Sequence, residues 1–212
     1  MNISKIIISN NPNRQIITLA VNILKKGGVL IIPTETAYGL AADATNREAV
    51  KKIYQIKGRN FNKFLPLIAS SINQVKKYFK PTSKEVELFK KYPGLSIVVS
   101  PKHENTKALK QNVYLMPGQD SCVVRISTNE ICKLLVRRLG RPITATSANK
   151  AGGDNCYSAE EVIRQLKNSK QQPNLIFDAG KLKLIKPSTI IEVESNKINV
   201  IRQGKIRITR SC

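Results

Sequence analysis

Histidine is almost missing from this chain of 212 residues, with His103 the single one. Zinc centres and Ser-His-Asp or Cys-His catalysts lean on histidine, and the polar stretch around His103 reads as a surface loop, which argues against both. Cysteine is nearly as sparse: Cys122, Cys132, Cys156 and Cys212 contain no C-x-x-C pair. A tetrahedral zinc site is not expected, and the thiols fit incidental or buried positions in a reducing compartment. No apolar run approaches the roughly 20 residues that cross a bilayer, so no membrane partner is expected. The opening residues, Met1 to Lys5, lack the apolar stretch and small-residue cleavage site of a signal peptide, which leaves a cytoplasmic location as the expectation.

Acidic side chains are also scarce. Fourteen Asp and Glu stand against 36 Lys and Arg, a formal charge of +22. Such an excess attracts polyanions, whether RNA, nucleotides or acidic membranes. A coding bias towards lysine, isoleucine and asparagine would also scatter lysine over every solvated face, and the basic residues are indeed spread along the chain. That bias leaves the shortage of acids unexplained.

What is present is an alternation of strands and helices. Residues 5–8 and 29–32 read as strands, the second buried on both faces. Between them Asn11-Pro12 opens a helix whose Ile16, Leu19, Ala20, Ile23 and Leu24 recur at helical spacing, and Gly27-Gly28 ends it. Thr45-Asn46-Arg47-Glu48 has the pattern of a capping box and launches a helix that stops at Lys57-Gly58. A buried strand at 65–69, helices at 72–79 and 84–91, and strands at 95–99 and 122–126 follow. A helix at 130–139 halts at Gly140, and a strand at 143–146 runs into a turn at Ser147. Ser158-Ala159-Glu160-Glu161 is a second capping-box pattern, and strands at 175–177, 189–193 and 198–201 close the chain. No repeat or linker interrupts it, so residues 1–212 are expected to form one α/β domain with a mixed sheet.

Three polar segments stand out from this frame. Pro33-Thr34-Glu35-Thr36-Ala37-Tyr38-Gly39-Leu40 places two hydroxyls and a phenol just after a buried strand. Lys57 and Arg59 flank a glycine at a helix end, where a turn can converge both on one anion. The same pair also suits a solvated helix end, favoured by the dipole by about 0.3–1 kcal/mol. The turn from Thr144 to Gly153 is small, polar and glycine-rich, so its N–H groups suit phosphate, although a plain loop has the same composition. Neither G-x-x-x-x-G-K-[ST] nor G-x-G-x-x-G is present. Cations beside neutral donors suit a ligand with both phosphates and a polar head group, which points to a nucleotide-using enzyme.

In order, the segments PTETAYGL, KGR, SCVVR, TSAN with AGG, PST and IRQG make the chain resemble the YrdC-like domain family, above all its threonylcarbamoyl-AMP synthases. The resemblance covers about residues 15–206 and is closest to the short branch, which has the core domain only. It implies an open, twisted sheet of parallel and antiparallel strands with flanking helices around a basic concavity. It also implies a reaction in which L-threonine, bicarbonate and ATP give threonylcarbamoyl-AMP and pyrophosphate, for the modification of tRNA by a threonylcarbamoyl-transferase machinery downstream. ATP is then a substrate, accompanied by Mg2+. No catalytic nucleophile is implied; positioning and neutralised charge would carry the rate.

Carried over by position, Lys57, Arg59, Lys63, Ser121, Ser147, Asn149, Asn155 and Arg202 fall where the family holds ATP. Thr34, Thr36, Arg125, Ala145 through its backbone, and Ser188 fall where it holds threonine. The chain departs from the family at Asn60 and Phe64, where prolines are usual, and at Ile68, where one branch has a threonine-contacting histidine. It departs again at Pro93-Gly94-Leu95-Ser96, a shortened run, and at Asn155-Cys156-Tyr157, in place of Ser-Pro-Thr. The alternative is a non-catalytic binder of tRNA or double-stranded RNA, whose affinity would fall with salt at a log–log slope of about −0.9 per duplex phosphate neutralised. The carbamoyl-transfer enzyme of hydrogenase maturation contains a related domain, but it also needs zinc-finger modules, which the missing C-x-x-C pairs do not supply.

Overall fold

The computed structural model describes residues 4–8, 12–61, 63–102, 113–114 and 120–208. His103, most of the loop read around it and Cys212 lie outside the described residues. Five strands form a first sheet in the order β1 (Ser4–Ile7), β9 (Leu175–Asp178), β2 (Leu30–Pro33), β3 (Tyr38–Ala41) and β8 (Thr146–Ser147). Here β1 and β2 run parallel to β9, while β3 pairs antiparallel with β2 and β8. Six more strands form a second sheet in the order β11 (Lys197–Arg202), β10 (Ile190–Glu194), β5 (Ser96–Val99), β6 (Cys122–Ile126), β4 (Leu67–Ala69) and β7 (Ile143–Thr144). Parallel pairs β10·β5 and β4·β6 alternate with antiparallel ones. The fold is therefore α/β with mixed pairing, as the residue pattern implied, but the strands divide between two sheets rather than lying in one.

The junction between the sheets matters for everything that follows. The expected strand at 143–146 is cut at Ala145: Thr144 pairs with Leu67 of the second sheet, Thr146 with Leu40 of the first. Ala145 N donates to Pro66 O at 2.8 Å, and Asp43, just past β3, bridges Ile143. One chain segment thus pins the two sheets side by side.

Alternation along the strands sorts residues between faces. Ile31 and Leu40 join Val50, Ile53, Val162 and Leu166 from α2 (Arg47–Lys57) and α6 (Ala159–Leu166) on one face of the first sheet. Leu30 and Ile32 turn the other way, onto α1 (Arg14–Lys25) and α5 (Glu130–Leu139). In the second sheet Ile97, Val99, Val124 and Ile191 pack with α3 (Ile72–Tyr78) and α4 (Ser83–Lys91). Their neighbours Val98, Val123, Arg125, Ile190 and Glu192 face the opposite way, into a cavity.

Local signals were read with small shifts. The cap of α1 is Asn13, and its buried stripe is Ile17, Ala20, Val21 and Leu24, while Leu19 is 46% exposed. Helix α2 is capped by Asn46, whose side chain accepts from Ala49 N, so the expected Thr45–Glu48 box does not form; Thr45 instead donates to Asp43 Oδ1 at 2.7 Å. At α6 the Ser158 cap forms, but Glu161 accepts from Tyr157 N, not from the cap residue. Among the described residues no helix is long and apolar enough to cross a membrane.

Candidate active site

A cavity of about 700 Å³ opens on the face of the second sheet opposite α3 and α4, with the β3–β8 edge of the first sheet as its other wall. Its lining carries four cations, Arg59, Lys63, Arg125 and Arg202, against one carboxylate, Glu192. Of the thirteen residues singled out from the sequence, eleven line it.

The K-x-R and S-x-N segments meet here, split between surface and support. Gly58, at φ 61° in the left-handed region that glycine enters without strain, ends α2 and reverses the chain between Lys57 and Arg59. Lys57 turns inward and is 3% exposed. Its Nζ donates to Ser147 O at 2.6 Å, Asn149 O at 2.9 Å and Asn149 Oδ1 at 2.9 Å, using all three N–H bonds of an ammonium. Burial, then the nearby Arg59 charge, pulls its pKa down to about 7. Asn149 Oδ1 also accepts from Ser147 Oγ at 2.6 Å, and its Nδ2 donates to Gly153 O. Lys57 and Asn149 therefore lie beneath the cavity and do not line it; they hold the turn that presents Ser147 to it.

Arg59 reaches the cavity, with Nη2 donating to Phe64 O at 3.1 Å and Nη1 to Thr146 Oγ1 at 3.4 Å. Its buried Nε has no hydrogen-bond partner, and burial lowers its pKa. Lys63 stands exposed at the rim beside Phe64, and Tyr54 Oη donates to Lys63 O at 2.8 Å. Ser121, just ahead of β6, and Asn155, in the loop before α6, complete this part of the lining.

Thr34 and Thr36 occupy the turn between β2 and β3. Thr34 Oγ1 donates to Ala37 O at 2.7 Å and accepts from Thr36 N at 3.2 Å, so this hydroxyl is spent on the turn itself. The Thr36 hydroxyl lies 3.1 Å from that of Thr34, its one hydrogen-bond partner among the described residues. Gly39 is needed close by, because a Cβ there would meet Thr34 Cγ2 at 3.2 Å and Thr146 O at 3.3 Å.

Arg125 points into the cavity because its register on β6 is opposite to that of Val124. It is 5% exposed, and its Nη1 lies 3.6 Å from Glu35 Oε1. Glu35 Oε2 accepts from Ser127 Oγ at 2.8 Å. Ser188 and Arg202 come from the PST and IRQG segments, joined by Arg202 Nε and Nη2 donating to Ser188 O at 3.0 and 2.8 Å. The intervening residues explain those motifs. Thr189 Oγ1 donates to Ile206 O at 2.6 Å and accepts from Gly204 N at 3.0 Å, while a Cβ on Gly204 would sit 2.0 Å from Pro187 O. Burial, and then Arg125, lowers the Arg202 pKa.

Ile68, at the position where one branch has histidine, is fully buried in the core under β4 and does not line the cavity. The sequence did not reveal Glu35 as the partner of Arg125, or Ser127 as the partner of Glu35. Glu35 lies inside the PTET segment, but nothing in the chain sets Ser127 apart.

A two-sheet α/β fold holding a basic cavity of nucleotide size defines the class, and comparison with known proteins gives the family. The family model Sua5/YciO/YrdC, described as "Telomere recombination", matches residues 22–204. A putative threonylcarbamoyl-AMP synthase of Methanocaldococcus jannaschii is 32% identical over 186 residues, which is 87% of this chain and 83% of the relative. The crystal structure of P. abyssi Sua5 complexed with L-threonine superposes with a TM-score of 0.82 at 28% identity, covering 94% of this chain. This chain spans only 57% of that one. E. coli YciO superposes with a TM-score of 0.77 at 25% identity, over 96% of this chain and 95% of its own. The chain belongs to the Sua5/YciO/YrdC family.

Proposed function

We propose that this chain is an L-threonylcarbamoyladenylate synthase. One observation carries the reading: a single cavity gathers a buried arginine with hydroxyls at one wall, and further cations with the Ser147 turn at the other. The names of two relatives support it, one as a putative synthase and one crystallised with L-threonine.

In this reading the threonine carboxylate lies on Arg125, whose planar fork suits a carboxylate better than an ammonium would. Thr36 and Ser188 offer hydroxyls, Thr34 shapes their turn, and Ala145 contributes backbone. The triphosphate lies along Arg59, Lys63, Ser121, Ser147, Asn155 and Arg202. Lys57 and Asn149 act through the Ser147 turn and do not touch the nucleotide. The threonine amine attacks the carbon of bicarbonate-derived CO2 and releases a proton, giving a carbamate. A carbamate oxygen then attacks the α-phosphorus, the bond to the bridging oxygen breaks, and pyrophosphate leaves. Arg59 and Arg202 neutralise the charge that builds on the phosphates, and the Ser188–Arg202 hydrogen bonds keep the two substrates adjacent.

The described residues hold no cluster of three or more His, Cys, Asp or Glu fit for a metal ion. In this reading Mg2+ enters on the triphosphate, with no carboxylate cage from the described residues. Delivery of the product to tRNA by a downstream transferase, in the cytoplasm, completes the proposal. The test is pyrophosphate release with each substrate omitted in turn. Release that needs threonine, bicarbonate and ATP together supports the synthase; release without threonine contradicts it. The charge of +22 also suits RNA. Salt-sensitive RNA binding with no pyrophosphate release under any mixture would favour the non-catalytic alternative.

A further inference from the structure

The cavity must take two anions of different kinds, a polyphosphate and an amino acid carboxylate, on walls that are both cationic. Arg125 and Arg202 are close enough for the charge of one to depress the pKa of the other. Left bare, the Arg125 end would attract phosphate groups as readily as the Arg59 end does. One half-buried carboxylate breaks this equivalence. Glu35 Oε1 lies 3.6 Å from Arg125 Nη1, and Glu35 Oε2 is fixed by the Ser127 hydroxyl at 2.8 Å. Ser127 is in turn held by Asn129 N, which donates to its Oγ at 3.1 Å, so the carboxylate is anchored to the start of α5. Arg125 lines the cavity and Glu35 does not, which puts the carboxylate behind the guanidinium.

The spacing is informative. At 3.6 Å the pair is too long for a hydrogen bond, so the charge of Arg125 is offset while its donors stay uncommitted. Neither Arg125 Nε nor Glu35 Oε1 has a hydrogen-bond partner, although both are buried. Such an arginine keeps its fork for a carboxylate but presents little net charge, a combination that suits a zwitterion and not a polyphosphate.

We propose that Glu35, anchored by Ser127, is a specificity-determining positioning residue that reserves the Arg125 end of the cavity for an amino acid and keeps polyphosphate out of it. The inference rests on the reading of Arg125 as the carboxylate site. Glu35→Gln keeps the shape and removes the charge, so the Arg125 end gains a phosphate-binding capacity that a merely structural residue would not confer on being lost.

The experiment is calorimetric titration of L-threonine into the whole chain, with and without metal-free inorganic pyrophosphate. For the wild type, pyrophosphate is expected to leave the threonine Kd within about twofold. For Glu35→Gln, the same pyrophosphate is expected to raise the apparent Kd about tenfold, a shift of about 1.4 kcal/mol. Ser127→Ala, which frees the carboxylate from its anchor, should move the same way by less, and it serves if the first variant does not fold. Folded variants that are no more sensitive to pyrophosphate than a threonine-binding wild type overturn the role of Glu35 alone. A wild type that does not bind L-threonine defeats the carboxylate assignment first, and this inference with it.

Discussion

Replacing Lys57 with methionine tests how the Ser147 turn is held. Methionine nearly matches the lysine stem in length and flexibility, so the perturbation is confined to the ammonium. That group makes three hydrogen bonds to Ser147 O, Asn149 O and Asn149 Oδ1, and it is 3% exposed. Hydrogen bonds to a charged group are worth about 1.5–3 kcal/mol each, but removing a buried charge gives back several kcal/mol of desolvation. The net expectation is a loss of about 2–4 kcal/mol, read as a lowered urea midpoint with an unchanged slope. The functional effect should exceed the stability effect. Ser147 Oγ is set by Asn149 Oδ1, which Lys57 holds, and a shift of about 1 Å in a positioning group costs about a hundredfold in rate. Pyrophosphate release under conditions where the variant is fully folded should therefore fall about a hundredfold. A variant within about 0.5 kcal/mol of wild type and within twofold in rate would refute the buttress.

The same ammonium has a pH signature. Its folded pKa of about 7 lies below the ordinary lysine value of 10.5, so above pH 7 the unfolded chain binds the extra proton. Stability of the wild type relative to Lys57→Met should therefore rise from about pH 7 towards 10.5, and a flat difference in urea titrations across that range would show that the proton stays on. Arg59→Ala and Ser147→Ala should each cut pyrophosphate release at least about tenfold, or about 1.4 kcal/mol of barrier, with little change in melting temperature. Full activity in both would dismiss the phosphate wall. Arg125→Ala should raise the threonine concentration needed for half-maximal rate by at least about tenfold, and Arg125→Lys should not restore it, because an ammonium lacks the bidentate fork. An unchanged threonine requirement would remove the carboxylate role.

Local signals were legible where one residue decides the structure. Gly58 and Gly140 ended α2 and α5 where expected, because each takes a left-handed conformation. The β3 strand was not read at all: four residues interrupted by Gly39 carry no periodicity of their own, and the strand exists because β2 and β8 flank it. The break at Ala145 was equally hidden, since residues 143–146 look continuous until the two sheets compete for them. The capping pattern at Thr45 slipped by one because Asn46 is itself a strong cap and Asp43 engages the threonine.

At the cavity, the hydroxyls and cations could be named because their motifs are compact. Which of Lys57 and Arg59 faces inward could not, since one glycine torsion decides it. The pairing of Glu35 with Arg125 and Ser127 was invisible, because it depends on β6 and the β2–β3 turn folding together. Ile68 shows the converse, as a position where another branch has histidine is here packed into the core.

The most direct test is mass spectrometry of the products made from L-threonine, carbon-13 bicarbonate and ATP. A cavity that holds both substrates side by side yields one species containing AMP, threonine and the labelled carbon, with an equal amount of pyrophosphate. AMP alone, or a threonine adenylate without the label, would contradict it.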